Sequence, residues 1–253
     1  MFLGEEVLIF QDRAHAGHML ASKLHAYADR KDVLVLGIPR GGVPVAFEVA
    51  KALHAPLDIF VSRKLGVPGQ EELAFGAVAS GGVRILDREI IEGVGISEQQ
   101  IEEITARVTK ELERRQRLYR GARPPLKVDG QTVLLVDDGI ATGSSMRAGI
   151  KALQQMKPAR LVVAVPVAPQ LTYSHLRHQV DELVCLQTPR YFYAIGQFYG
   201  DFSQISDDEV TGLLQLAIQP VAAPPSASPN GDIVDEASRE SFPASNAPAR
   251  IRS

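Results

Sequence analysis

The feature that most constrains this chain is the run of residues 133–145, which reads VLLVDDGIATGSS. Its four leading apolar residues predict a buried strand, and Asp137 and Asp138 follow where that strand ends. The small residues 141–145 predict a tight turn into a helix, whose N-terminal N–H groups favour an anion such as phosphate. Carboxylates repel phosphate, so the two aspartates suit hydroxyl groups or a cation. The run therefore predicts a site for a ribose 5-phosphate.

Short apolar runs alternate with helical patterns over most of the remaining chain. The runs that predict buried strands are 33–38, 57–61, 132–136, 161–165 and 182–186. Helical spacing covers 43–53, 145–156 and 170–178. Such alternation predicts an α/β fold, in which a parallel sheet is covered by helices on both faces. In these sheets ligands bind at the carboxyl ends of the strands.

Residues 133–145 resemble the 5-phosphoribosyl 1-pyrophosphate (PRPP) signature of type I phosphoribosyltransferases at every position. Residues 10–215 also resemble a family of predicted phosphoribosyltransferases with no assigned acceptor, through Asp12, Arg13, Ala16 and Gly17. The resemblance implies a type I fold: a parallel five-stranded core sheet flanked by helices. It also implies a small hood, formed by the N-terminal residues and 187–217.

The resemblance assigns roles to the residues of the signature. Asp137 and Asp138 would bind the ribose hydroxyls. The 5′-phosphate would be held by Ala141, Thr142, Gly143, Ser144 and Ser145.

A second loop, residues 39–42, follows the first predicted strand and precedes a helix. Adjacent glycines let backbone N–H groups approach a ligand closely, and an arginine offers a fork of donors for phosphate oxygens. Arg40, Gly41 and Gly42 resemble the pyrophosphate-binding loop of the same family. That resemblance implies a cis peptide between Pro39 and Arg40. A plain turn is the alternative interpretation.

A third segment, 62–69, places Arg63 and Lys64 directly after the strand predicted at 57–61. The pair resembles the basic residues of adenine phosphoribosyltransferases, which contact pyrophosphate. Arg63 and Lys64 are therefore the predicted catalytic residues, and residues 70–82, rich in Gly and Ala, are interpreted as a loop that folds over the site. A solvated basic pair is the alternative.

Aromatic residues crowd the segment 189–201, after the last predicted strand. Aromatic faces suit stacking on a planar base, so Tyr191 and Phe192 are candidates for binding one. The run loosely resembles the base-binding segment of 6-oxopurine enzymes, but its spacing is one residue longer. A core or dimer-contact cluster is equally compatible. Ala141 stands where hypoxanthine–guanine enzymes carry an aspartate, so the resemblance does not identify the acceptor.

The predicted activity is transfer of the phosphoribosyl group from PRPP to a nitrogenous, nucleobase-like small molecule with release of pyrophosphate. Mg²⁺ would be carried with PRPP, and no metal ligands of the protein's own are predicted. The alternative is a regulator or sensor that binds PRPP or a nucleotide without turnover. A transferase with a non-base acceptor is a third reading.

Composition and charge exclude several other classes of protein. The 27 basic and 30 acidic residues argue against binding nucleic acid through general phosphate neutralisation, and the lone cysteine excludes an intrachain disulfide. With no apolar run long enough for a membrane span and no evident leader, we expect a cytoplasmic protein. Residues 1–218 are the predicted catalytic domain, and the Pro/Ser/Ala-rich 219–253 a disordered tail.

One long charged segment, 97–120, predicts a helix that begins at Ser97, with Gln100 completing a capping box. Its apolar stripe is narrow. The segment is interpreted as a solvated surface helix, or as the contact of a possible homodimer.

Overall fold

The computed structural model describes residues 7–217. Among these residues the strands are β1 (Val33–Gly37), β2 (Leu57–Ile59), β3 (Ser62–Val67), β4 (Gln70–Ala79), β5 (Val83–Leu86), β6 (Thr132–Val136), β7 (Arg160–Val167) and β8 (Glu182–Gln187). The α-helices are α1 (Arg13–Lys23), α2 (Gly42–Leu53), α3 (Arg88–Val94), α4 (Glu98–Arg120), α5 (Ser144–Gln155), α6 (Gln170–Leu176) and α7 (Asp207–Leu216).

Five strands form the predicted parallel sheet, in the order β2-β1-β6-β7-β8. Its side chains alternate between two cores. Leu134 and Val136 pack with residues of α1, α2, α4 and α7 on one face, whereas Val133 and Leu135 pack with α5 on the other. The α/β fold class is thus confirmed. The chain leaves β1 toward β2 and leaves β6 toward β7, so the switch point of the sheet lies between β1 and β6.

A second sheet, antiparallel and three-stranded in the order β3-β4-β5, replaces the loop interpreted over 70–82. That interpretation was wrong. The small residues do not mark irregular chain; they let strands approach closely, since a Cβ on Gly76 would collide with the carbonyl oxygen of Ile85. Leu65, Phe75 and Val78 anchor this sheet in the main core.

The long helix α4 begins as predicted, with the Ser97 side chain and that of Gln100 forming a capping box. Its stripe is not left for a partner. Ile101, Ile104 and Leu112 are buried, and α4 packs against β3, β4 and α7 of the same chain. The solvated-helix interpretation therefore holds only for the other faces of α4.

The segments that flank α1 and follow β8 meet as the predicted hood. Phe10 forms an isolated parallel bridge with Tyr199, and both rings pack in a small separate cluster with Phe198. The predicted hood extended to residue 217, but α7 buries Val210 and Leu214 in the main core instead. The predicted tail 219–253 lies outside the described residues. No helix within 7–217 combines the length and the apolarity that crossing a bilayer requires.

Candidate functional site

Two loops meet at the switch point, because β1 and β6 are adjacent parallel strands. The loop after β1 contains Gly41 and Gly42, and the loop after β6 contains Asp137 and Asp138. Both glycines are required by this close approach. A Cβ on Gly41 would overlap the Oδ2 atom of Asp138, and one on Gly42 would lie 2.8 Å from Oδ1 of Asp137. The Pro39–Arg40 peptide is cis, as expected.

The two aspartates differ in their partners. Asp138 is buried, and its Oδ2 accepts a hydrogen bond of 2.9 Å from Nε of Arg13. Asp137 Oδ1 accepts from the backbone N–H of Asp138. Burial and the neighbouring charge of Asp138 raise the pKa of Asp137 well above its ordinary range. The two carboxylates therefore share the compensation of one guanidinium.

Arg13 was not among the predicted site residues. It appeared only within the family resemblance, whereas the structure joins it to the acid pair and to the hood. Its Nη1 donates to the carbonyl oxygen of Ser203, and its guanidinium lies 4.0 Å from the centre of the Phe202 ring. The Tyr199 hydroxyl adds a hydrogen bond of 2.6 Å to the carbonyl oxygen of Asp138. The only signal in the sequence was the family resemblance that includes Asp12 and Arg13.

The predicted phosphate loop ends at the N-terminus of α5. Gly143 adopts a φ of 77° at the cap position, a left-handed conformation that glycine tolerates best. The Ser144 and Thr142 hydroxyl oxygens lie 3.2 Å apart, and α6 fixes the loop through a bond from the Thr172 hydroxyl to the carbonyl oxygen of Ala141. Arg147, which the sequence did not suggest, lies within 3.4 Å of the Ser144 hydroxyl.

A cavity of about 750 Å³ opens beside this loop. Its lining includes Arg63 and Lys64 of β3 and also Thr142, Ser144 and Ser145 of the predicted phosphate loop. The structure thus brings together two of the predicted groups. Arg63 and Lys64 lie on a strand, not on a loop.

The two predicted cations at the cavity are paired with acids of the chain. Lys64 Nζ lies 2.9 Å from Glu72, and Arg63 lies 3.9 Å from Glu111. Arg40 does not line this cavity. Its Nη1 lies 3.8 Å from Asp207.

Comparison with known proteins decides the family. The model of the phosphoribosyl transferase domain matches residues 4–202, most of the chain. This chain belongs to the phosphoribosyl transferase domain family. Two Mycobacterium tuberculosis proteins, in strains H37Rv and CDC 1551, provisionally named phosphoribosyl transferases, are each 44% identical over 209 residues. The match covers 83% of this chain but 47% of theirs, so the chain spans about half the length of these curated relatives.

A solved structure is similar in fold over most of the chain. TT1426 from Thermus thermophilus, known from a crystal structure, is 41% identical, with a TM-score of 0.73. The similarity covers 82% of this chain and 98% of that one. The predicted type I fold is therefore confirmed.

The aromatic segment of this phosphoribosyl transferase domain divides into two environments. Phe192 is half-buried and packs on Phe198, with ring centres 5.4 Å apart. Tyr191 is 69% exposed. The two candidates for base binding thus differ, and Phe192 follows the core alternative.

The lone cysteine, Cys185, lies within β8. Burial in β8 raises the pKa of the Cys185 thiol to about 12, which suits an unreactive core position. Within 7–217 no group of three or more His, Cys, Asp or Glu side chains has the arrangement of a metal site.

Proposed function

We propose that this chain is a phosphoribosyltransferase, which transfers the 5-phosphoribosyl group of PRPP to a nitrogenous acceptor and releases pyrophosphate. The observation that supports this most is the meeting of the loops after β1 and β6, because together they offer three segments that each suit a different part of PRPP. Asp137 and Asp138 suit the ribose hydroxyls. The turn at 141–145 suits the 5′-phosphate, and Arg40 with the Gly41–Gly42 backbone suits the pyrophosphate.

The hydrogen bonding of the acid pair fits a diol. Asp138 Oδ2 is held by Arg13 and Asp137 Oδ1 by a backbone N–H. Each carboxylate keeps one oxygen that accepts no N–H or O–H group of the described residues. Two adjacent acceptors of this kind match the two hydroxyls of a ribose.

The proposed reaction needs little covalent chemistry from the protein. The acceptor nitrogen bonds to the ribose C1 atom as its bond to the pyrophosphate oxygen breaks, through the family's oxocarbenium-like transition state. Holding both phosphate ends fixes the ribose, and cations placed at the departing oxygens stabilise their developing charge. Arg63 and Lys64 would supply this charge from β3.

Mg²⁺ would enter bound to PRPP. It prefers oxygen ligands, keeps several waters and is usually shared with substrate phosphates. The carboxylate donors at this site, Asp137 and Asp138, are compatible with such an ion near the ribose hydroxyls. Mg²⁺ would supply charge compensation for the leaving group.

The acceptor is proposed only as a class. A nucleobase-like small molecule would contact the hood, with Tyr191 the more accessible aromatic candidate. Ala141 provides no carboxylate for a purine nitrogen. We further propose that residues 1–218 are the catalytic domain and that the protein is cytoplasmic.

Calorimetry with PRPP and Mg²⁺, followed by a pyrophosphate-release assay over a panel of bases and amines, tests the proposal. We expect binding, and release with at least one acceptor. The double variant Asp137→Asn, Asp138→Asn should bind more weakly while remaining folded. Tight binding of PRPP with no release across the panel would favour the sensor alternative, and no binding would refute both.

A further inference from the structure

One face of α4 carries polar residues at intervals of four. Arg107, Glu111, Arg115 and Tyr119 therefore lie along the same side of the helix. Arg107 and Glu111 line the 750 Å³ cavity, together with Thr142, Ser144 and Ser145 of the predicted phosphate loop. This stripe thus borders the candidate site, which a solvated helix face would not do.

Glu111 is surrounded by cations. Its Oε1 lies 3.1 Å from Arg115 Nε and 3.9 Å from Arg63 Nη2, and its Oε2 lies 2.9 Å from Arg114 Nε. One carboxylate therefore faces three guanidiniums, two from α4 and one from β3. The cluster retains a surplus of two positive charges.

The like charges in this cluster are close enough to affect each other. Burial, together with the charge of Arg115, lowers the pKa of Arg63. Arg107 also lines the cavity, and among residues 7–217 no ion pair involves it. Such crowding of cations is unfavourable alone, and a polyanion bound between them would relieve it.

The far end of the stripe leads to the loop after β1. The Tyr119 hydroxyl donates to Asp207 at 2.6 Å, and the same carboxylate oxygen lies 3.8 Å from Arg40. The stripe therefore extends from the Arg63 side of the cavity to the neighbourhood of Arg40.

We propose that Arg107 and Arg115 of α4, together with Arg63, form a binding wall for a diphosphate group, in which the diphosphate replaces Glu111 as the partner of Arg63 and Arg115. The inference rests on the proposed function, since PRPP would present its diphosphate here while its 5′-phosphate occupies the turn at 141–145. A diphosphate fits better than a single phosphate because it can bridge guanidiniums from two elements.

The test uses inorganic pyrophosphate and ribose 5-phosphate as separate calorimetric probes on the full chain. Arg115→Gln and Arg107→Gln should each weaken pyrophosphate binding about tenfold or more, the scale of one charge-assisted bond, and leave ribose 5-phosphate binding unchanged. Arg115→Lys should restore part of the loss. Arg117→Gln is the matched control, because Arg117 lies on the same helix, pairs with Glu113 and is 72% exposed.

Glu111→Gln gives a test in the opposite direction. It removes the competing carboxylate and leaves the arginines, so pyrophosphate should bind more tightly than to the unaltered chain. Weaker binding of pyrophosphate would contradict the proposal that the diphosphate replaces Glu111.

The outcomes separate the wall from the proposed function. If PRPP binds but Arg115→Gln and Arg107→Gln match Arg117→Gln, the wall is wrong and the function stands. If pyrophosphate binding depends on these arginines but neither PRPP nor ribose 5-phosphate binds, the wall stands and the function is wrong.

Discussion

Two regions of the site differ in how far their charged side chains are exposed to water. The acid-pair region comprises Arg13, Gly41, Gly42, Asp137 and Asp138. There the charged side chains are enclosed: those of Arg13 and Asp138 are only 9% and 11% exposed. Charges in such a setting interact strongly and are costly to separate.

The cationic region comprises Arg63, Lys64, Arg107, Glu111 and Arg115. Its ion pairs are open to water, and Lys64 and its partner Glu72 are 46% and 100% exposed. Pairs of this kind contribute little to stability and exchange partners readily. The contrast fits an acid-pair region that is fixed before a ligand arrives, and a cationic region that can exchange its own carboxylates for the phosphate oxygens of the proposed ligand.

The largest expected effect is on folding, from Arg13→Met. The substitution leaves Asp138 buried without its guanidinium, which should cost about 3–5 kcal/mol in the free energy of unfolding. Urea denaturation at neutral pH measures it.

Arg84→Met supplies the comparison, because Arg84 pairs with Glu102 at 2.7 Å but both side chains are well exposed. It should cost less than about 1 kcal/mol. Equal losses in the two variants would contradict the claim that burial distinguishes the acid-pair region.

A second effect should come from Gly41→Ala. The new Cβ would overlap Asp138 Oδ2, so the loop or the carboxylate must shift. We expect ribose 5-phosphate affinity to fall about tenfold and stability by about 1–3 kcal/mol, typical of an overpacked site. Gly93→Ala in α3 is the control, since nothing lies within 4 Å of its Cβ position. Unchanged binding in Gly41→Ala would mean that this contact does not shape the site.

The sequence predicted the acid-pair region only in part. Its loops were found because Asp137, Asp138 and the glycines follow apolar strands, and such patterns are local. The sequence did not predict the partner of Asp138. Arg13 lies 125 residues away, and nothing in the local pattern shows that the two side chains will meet. Contacts of this length depend on the packing of α1 against the sheet.

The predictions for β4 and for the polar face of α4, which surround the cationic region, were wrong for a different reason. Gly and Ala in 70–82 have low strand propensity, so β4 resembled a loop, although strand pairing with β3 and β5 decides its conformation. The polar stripe of α4 was taken as solvated because polarity alone does not distinguish bulk water from a water-filled cavity. The roles of all these residues stay predictions until binding is measured.

The two regions should also respond oppositely to pH. Asp137 has a pKa raised above its ordinary value of 3.8, so its contribution favours folding at low pH and is lost as pH rises above about 4. Glu111 has a pKa lowered from 4.5 to about 2, because Arg114 and Arg115 donate to it. Its contribution is present above pH 4.5 and is lost as pH falls toward 2.

Unfolding midpoints in urea between pH 3 and 7 check these signs. Asp137→Asn should remove a decline in stability toward neutral pH, and Glu111→Gln should remove a decline toward acid pH. If Asp137→Asn leaves the slope of the parent chain intact, the pKa of Asp137 is not raised in the folded chain.

The smallest effect on folding should come from Lys64→Ala in the cationic region. Lys64 is half-exposed and its partner Glu72 is fully exposed, so we expect the melting temperature to stay within about 1 °C. Pyrophosphate affinity should nevertheless fall several-fold, because the ammonium group borders the cavity and can turn from Glu72 to an anionic ligand. Glu72→Gln, which frees Lys64 without removing it, should not weaken that binding. A clear loss of stability in Lys64→Ala with unchanged pyrophosphate binding would make Lys64 a structural residue. The ion pairs on β3 would then resemble the fixed pairs of the acid-pair region, and the proposed difference between the two regions would be wrong there.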